Sequence, residues 1–169
     1  MRSLLCRIAH CWWLVFLISA CTTTTNVVHQ PVRWTVAVLD YENLNLLNTS
    51  HLDLIELLTA KTIETIEVTD RFDVVERQHL AKVLEELAIG SSSVTSRQTR
   101  LKLGEITGAR WMVFGSYQII ESQMRLDVRL VDVESGGVVN AVSQVTDKGT
   151  IDDWLTAVAE VTDRLFDIE

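Results

Sequence analysis

The sequence lacks cysteine after position 21, and its three cysteines are Cys6, Cys11 and Cys21. The rest of the chain can therefore form neither disulfide bonds nor a thiol-based active site. A long hydrophobic run is lacking too. The apolar stretch from Cys11 to Ala20 has ten residues, whereas a membrane-spanning helix needs about 20. The sequence thus predicts no spanning helix in the mature protein.

Sequence motifs typical of enzymes are also absent. The serines at 91–93 lie outside any G-x-S-x-G pattern, and neither a G-x-G-x-x-G fingerprint nor a P-loop occurs. Beyond the apolar run the histidines are His29, His51 and His79, which have no metal-ligand spacing. The sequence therefore predicts a protein without catalytic activity, without a cofactor and without a metal ion.

The beginning of the sequence has the layout of a bacterial lipoprotein signal peptide. Arg2 and Arg7 precede the apolar run, and the tetrad ISAC at 18–21 fits the lipobox, in which the cysteine is acylated and becomes the mature N-terminus. An ordinary leader is the alternative, but it would leave one odd thiol in an oxidising compartment. We expect residues 1–20 to be removed and Cys21 to be lipidated.

A polar tether is predicted from 21 to 32, with Pro31 near its end. Thr22 stands where an aspartate commonly retains a lipoprotein at the inner membrane, so this sorting rule favours the periplasmic face of the outer membrane. At about 3.3–3.6 Å per residue, the extended tether reaches at most about 40 Å. That reach is too short to cross the periplasm.

The chain has few positive charges, with 15 Lys+Arg against 23 Asp+Glu. The predicted leader would remove two of the cations and no acid, which leaves 13 positive against 23 negative residues and a net charge of −10. A surface this acidic repels nucleic acid phosphates, so nucleic acid is excluded as a partner. Membrane attachment must then come from the lipid anchor rather than from a basic surface.

Hydrophobic periodicity predicts one α+β domain from 33 to 169, in the order β-α-β-α-α-β-β-β-α. Alternating apolar residues predict strands at 34–38 and 111–120, and apolar residues at helical spacing predict a helix at 77–88 that buries Leu84. Ser50 with Asp53 and Thr150 with Asp153 resemble capping boxes. We expect a mainly antiparallel sheet with helices covering one face.

Four segments carry a resemblance to a known family. They are WTVAVLDYEN at 34–43, FDVVERQHLAKVLEEL at 72–87, RLKLGEITGARWMVFGSYQI at 100–119 and LDVRLVDVESGGVV at 126–139. In this order, behind a lipobox, they resemble the CsgG family of curli production lipoproteins. The resemblance implies the periplasmic α+β fold that this family shares with the N-terminal domain of TolB.

The motif residues have structural explanations. Glu76 would lie at the positive end of a helix, and Arg77 could pair with a nearby acid. Glycine permits close packing or backbone angles unsuited to other residues, and Asp132 begins a predicted turn. We expect the following residues to determine the fold and not to bind a ligand: Glu76, Arg77, Gly104, Gly108, Gly115, Asp132 and Gly136.

The resemblance implies a non-enzymatic outer-membrane lipoprotein that acts through contacts with envelope proteins and could form homo-oligomers. Channel-forming members insert two long hairpins into the membrane, and a membrane-crossing strand needs about 9–11 residues. The corresponding segments, 116–125 and 138–151, are too short. We therefore expect a component of a curli-type or other surface assembly system without pore hairpins. The alternative is a regulator of an envelope enzyme such as a penicillin-binding protein.

Overall fold

A computed structural model of the chain describes residues 33–45, 52–87, 96–146 and 149–168. The predicted order of elements is confirmed, with a two-residue strand added after the first. The elements are β1 (Trp34–Val38), β2 (Glu42–Asn43), α1 (Leu52–Val68), β3 (Phe72–Val74), α2 (Arg77–Glu86), α3 (Arg97–Thr107), β4 (Trp111–Ile120), β5 (Gln123–Asp132), β6 (Val138–Val145) and α4 (Ile151–Leu165).

The sheet is mixed: the prediction missed the parallel pairing of β1, whereas the antiparallel β4–β6 part and the α+β class are confirmed. The strand order is β3-β1-β4-β5-β6, and β2 also pairs with β4. β1 is parallel to β3 and to β4, because helices connect these strands and return the chain to the same end of the sheet. Short turns make β4, β5 and β6 antiparallel.

Helices lie on both faces of the sheet, and the prediction that they cover one face is also wrong. Val36 and Val38 of β1 point to a core that contains Leu58 of α1 and Val161 of α4. The intervening Ala37 points to a second core on the opposite face. That core is formed with α2 and α3 through the following residues: Leu80, Val83 and Leu103.

Helix α2 ends two residues earlier than predicted. Leu80 and Val83 are buried, but Leu84 is half-buried, so the prediction of a buried Leu84 is wrong. Leu84 and Leu87 pack against the margin of the core that contains Leu80 and Val83, so they are only partly covered. Ala88, the last residue of the predicted helix, lies outside the described residues.

Local capping signals mark the ends of α3 and α4. The Ser96 hydroxyl accepts a hydrogen bond from the Thr99 N–H at the start of α3. The Thr150 hydroxyl accepts one from the Asp153 N–H at 3.2 Å at the start of α4, as the predicted capping box requires. The other predicted box begins at Ser50, which lies outside the described residues.

The β4–β5 hairpin is paired along its whole length. Trp111 pairs with Asp132 at one end and Ile120 with Gln123 at the other, and residues 121–122 form the turn, where Glu121 has a φ of 58°. The segment 116–125 is therefore part of the sheet of the folded domain.

Candidate interaction surface

The first motif pair lies at the beginning of α2. The Arg77 guanidinium donates a hydrogen bond to Asp40 Oδ1 at 2.7 Å, and its Nη1 lies 3.6 Å from Glu56 Oε1. Glu76 precedes the first helical turn, and its side chain makes no capping hydrogen bond. Arg77 thus connects the end of β1 with α1 and α2, which orients the three elements relative to one another.

Two motif glycines lie where a side chain would collide with a neighbour. A Cβ on Gly104 would lie 2.0 Å from Val133 Cγ1, so its absence allows α3 to approach the end of β5. A Cβ on Gly115 would lie 2.4 Å from Tyr41 Cε1. Gly108 has open space around it, but its φ of 68° forms the left-handed cap of α3.

Asp132 organises the turn between β5 and β6. Its Oδ1 accepts hydrogen bonds from the Ser135 N–H at 2.7 Å and the Ser135 hydroxyl at 2.8 Å, and its carbonyl accepts one from the Gly136 N–H at 2.9 Å. The Arg110 Nε lies 3.0 Å from Asp132 Oδ2. The backbone hydrogen bond from Ser135 is the main cause that lowers the pKa of Asp132. Burial acts to raise this pKa, but the Ser135 hydroxyl and Arg110 add to the lowering.

Tyr41, which the sequence motifs did not single out, lies across Gly115 in the core. Its hydroxyl is 3.0 Å from Thr62 Oγ1, and its N–H donates to Thr59 Oγ1 at 3.3 Å. Burial raises the pKa of Tyr41 to about 12. The only sequence signal for this contact is a tyrosine shortly after the first strand together with two threonines three residues apart on one helix.

The hydroxyl of Tyr117 is buried and has no hydrogen-bond partner within the described ranges. An unpaired buried polar group is costly. Tyr117→Phe is therefore expected to leave the free energy of unfolding unchanged or to raise it by about 1 kcal/mol. Tyr41→Phe, the matched control, removes the hydrogen bond to Thr62 and is expected to lower it by about 0.5–1.5 kcal/mol. Urea denaturation tests both, and a larger loss from Tyr117→Phe would contradict the assignment.

In the β4–β6 half of the sheet, α4 covers one face, and the described helices reach the other face only near Met112 and Phe114, which belong to the second core. On its other face, Ile120 and Val145 are 57% and 55% exposed, and Arg125 and Arg129 are exposed. We call this the open sheet face. From β4, β5 and β6 it comprises Ser116, Gln118, Ile120, Arg125, Asp127, Arg129, Ala141, Ser143 and Val145.

A cavity of 440 Å³ adjoins the open sheet face. Its lining combines one cation, Arg129, and three acids with the apolar Phe114 and with Val138, which is 58% exposed. The acids are Asp40, Glu42 and Asp127. The Arg129 guanidinium makes no ion pair or hydrogen bond within the part of the chain that the structure describes. The motif residues Gly115 and Gly136 line the same cavity. An open cavity that presents both charged and apolar side chains suits a protein segment that can make polar and apolar contacts together.

Asp127 lies beside this cation but is already bonded. Its carboxylate accepts hydrogen bonds from the Ser143 hydroxyl and, at 3.1 Å, from Arg125 Nη2. Burial acts to raise the pKa of Asp127, but these hydrogen bonds and the charges of Arg125 and Arg129 together lower it. Asp127 is therefore ionised at neutral pH, with its hydrogen bonds made to Ser143 and Arg125 and its charge opposed by Arg129.

The remaining motif residues lie elsewhere. Gly104 and Gly108 line a shallow depression with Arg110, whereas Arg77 lies at the start of α2, so the motif residues do not form one site. His79 is exposed on α2. Cys21, His29 and His51 lie outside the described residues. Across the described ranges no cluster of His, Cys, Asp or Glu could hold a metal ion.

The described helices include no candidate membrane span. None in residues 52–87, 96–146 and 149–168 combines the length and apolar character that crossing a bilayer requires.

Known structures share this fold at low sequence identity. Lipoprotein GNA1162 from Neisseria meningitidis is 13% identical with a TM-score of 0.59, covering 79% of this chain and 96% of that one. The C-terminal domain of LpoB from Salmonella enterica is 14% identical with a TM-score of 0.54, covering 72% and 87%. A PelC dodecamer subunit from Paraburkholderia phytofirmans is 13% identical with a TM-score of 0.51, covering 79% and 86%.

Sequence comparison points to one family. No curated protein matches the chain, but residues 55–125 match the family described as curli production assembly/transport component CsgG. This range contains the V-E-R motif at 75–77 and the L-G-x-x-x-G-A motif at 103–109. The resemblance of this chain to the CsgG family is therefore confirmed.

Proposed function

We propose that this protein is an outer-membrane lipoprotein whose periplasmic domain binds other envelope proteins in a curli-type or other surface assembly system, without catalysing a reaction. The observation that carries the proposal is the open sheet face with its adjoining cavity, where the exposed Arg129 lies beside Phe114 and Val138. A surface that presents charged and apolar side chains together fits a protein partner.

The lipid anchor is the first element of the proposal. Cys21→Ala is expected to abolish lipidation and to release the protein from the outer-membrane fraction, because the acidic domain has no basic surface to hold it there. Metabolic labelling with a fatty acid and membrane fractionation measure the effect. Cys11→Ala, within the same apolar run, is the matched control and is expected to remain labelled. Absence of lipid on the wild type, or unchanged fractionation of Cys21→Ala, would contradict the anchor.

The second element is an accessory role without a pore. Each residue of β4 pairs with β5, and Met124 and Leu126 have no solvent exposure in the core of the domain. Extending these strands into a bilayer would remove those side chains from the core, at a cost of about 1.5–3 kcal/mol for each. The hairpin therefore serves the folded domain.

A photo-crosslinking amino acid in place of Ser116 tests the binding surface in intact cells and leaves Arg129 in place. We expect it to capture an envelope protein, because residue 116 lines the cavity. The same crosslinker in place of Val68, which is 80% exposed on α1, is the control and is expected to capture none. Equal capture from both positions would show that the open sheet face is not the binding surface.

The identity of the captured protein decides between the two candidate functions. A secretion or surface-assembly component supports the first proposal. A peptidoglycan synthase would instead support the role of an enzyme regulator, for which the tether of about a dozen residues requires a partner that reaches the outer membrane itself.

A further inference from the structure

Strand β6 forms one edge of the sheet, and its sequence lacks the usual protection of an edge. Its eight residues, VVNAVSQV, include no charged residue and no proline. Natural edge strands commonly carry lysine, proline or inward-pointing charges that prevent pairing with another chain. Val138 and Val145, near its two ends, are 58% and 55% exposed. An apolar, uncharged edge of this length is a template for a further strand.

The hydrogen-bond pattern shows which backbone groups point outward. The Thr146 N–H donates to the Met124 carbonyl at 2.9 Å. Because bonding alternates along an antiparallel strand, the backbone groups of Ala141, Ser143 and Val145 point away from β5. Asn140 Oδ1 accepts a hydrogen bond from the Ala141 N–H at 2.8 Å, but the other outward groups face no strand, since β6 pairs only with β5 among the described strands.

We propose that β6 pairs antiparallel with β6 of a second copy of this chain, about a two-fold axis at Ser143. In this register the Ser143 N–H of each copy donates to the Ser143 carbonyl of the other copy. The Val145 N–H of each copy donates to the Ala141 carbonyl of the other copy. The pairing uses four outward N–H groups and leaves the bond between Asn140 and Ala141 intact. The open sheet faces of the two copies then lie on the same side of one continuous sheet.

Two observations favour a second copy in this symmetric arrangement. The opposite edge of the sheet, β3, has only three residues and carries Asp73, so it offers β6 a shorter and charged strand in a head-to-tail assembly. The chain is acidic overall, with 15 Lys+Arg against 23 Asp+Glu, so two copies repel each other over much of their surface. Strand β6 brings no charged side chain of its own to the contact. The irregular pairing at Leu130/Val131 lies at the start of β6 and leaves Ala141–Val145 regular.

Ser143→Lys tests the interface, because the register places the two substituted ammonium groups opposite each other across the axis. Asp127, which already contacts Ser143, can pair with the new lysine within each copy and preserve the fold. We expect the wild-type full chain to sediment as a dimer in detergent and Ser143→Lys to raise the dimer dissociation constant about fivefold or more. Ser122→Lys, in the exposed β4–β5 turn, is the matched control and should dimerise as the wild type does.

A second measurement keeps the proposal testable if Ser143→Lys fails to fold. Ser143→Cys is expected to form a disulfide between copies under mild oxidation, identified by mass spectrometry as a peptide joined at 143 to itself, whereas Ser122→Cys should not. A wild-type chain that sediments only as a monomer, a Ser143→Lys dimer as tight as the wild type, or equal cross-linking from both cysteines would overturn the interface. These results are independent of the lipid anchor and of the envelope partner.

Discussion

Leu80→Ala is expected to lower the free energy of unfolding by about 2–5 kcal/mol. Leu80 is 4% exposed and packs in the core that α2 and α3 form on the second face of the sheet. Removing its side chain leaves a cavity that the neighbouring helix and strands can only partly close. The loss is a large share of the about 5–15 kcal/mol that stabilises a typical domain.

Leu84→Ala, one turn further along α2, is the matched control. Leu84 is half-buried at the margin of the same core, so part of its apolar surface already faces water. We expect at most about half the loss measured for Leu80→Ala. Urea denaturation of both variants measures the difference. Equal losses, or a Leu80→Ala midpoint close to that of the wild type, would show that α2 does not cover the sheet as described.

Gly115→Ala is expected to lower the free energy of unfolding by about 1–3 kcal/mol or more. The added Cβ would lie 2.4 Å from Cε1 and 2.5 Å from Cζ of Tyr41, and the Tyr41 ring is buried and hydrogen-bonded to Thr62. The ring therefore cannot move aside without losing packing and a hydrogen bond. Thermal or urea denaturation measures the loss.

Gly137→Ala gives the control for the same chemical change at another glycine. The nearest atom to a Cβ at 137 is Ser135 Oγ at 3.3 Å, which has to move by only a few tenths of an ångström. We expect a change within about 0.5 kcal/mol. A Gly115→Ala variant as stable as Gly137→Ala would show that Tyr41 does not lie against β4.

Features encoded by neighbouring residues could be predicted from the sequence. The order of helices and strands, the cap at Thr150 and the turn that Asp132 begins depend on residues a few positions apart, whose side chains bond to the adjacent backbone. The CsgG family pattern likewise consists of short sequence segments, so it could be recognised before the fold was known.

The direction of β1 and the two covered faces could not be predicted in the same way. An apolar strand has the same sequence pattern whether its neighbours are parallel or antiparallel. Val36 and Val38 face one core and Ala37 faces the other, and this becomes clear only when the helices on each side are known. The half-burial of Leu84 could not be predicted either, because the spacing of apolar residues on a helix does not show how far the core that it packs against extends.

The sequence by itself determined the type and order of the elements, the absence of thiol chemistry after position 21 and the resemblance to the CsgG family, because these depend on composition and on short-range patterns. The tertiary structure decided which surface is left for partners. The open sheet face, the exposed Arg129 and the edge strand β6 are left uncovered in the described part of the chain because residues distant in sequence cover other faces. Which faces are covered depends on packing between residues far apart in sequence, and a local sequence pattern does not show it.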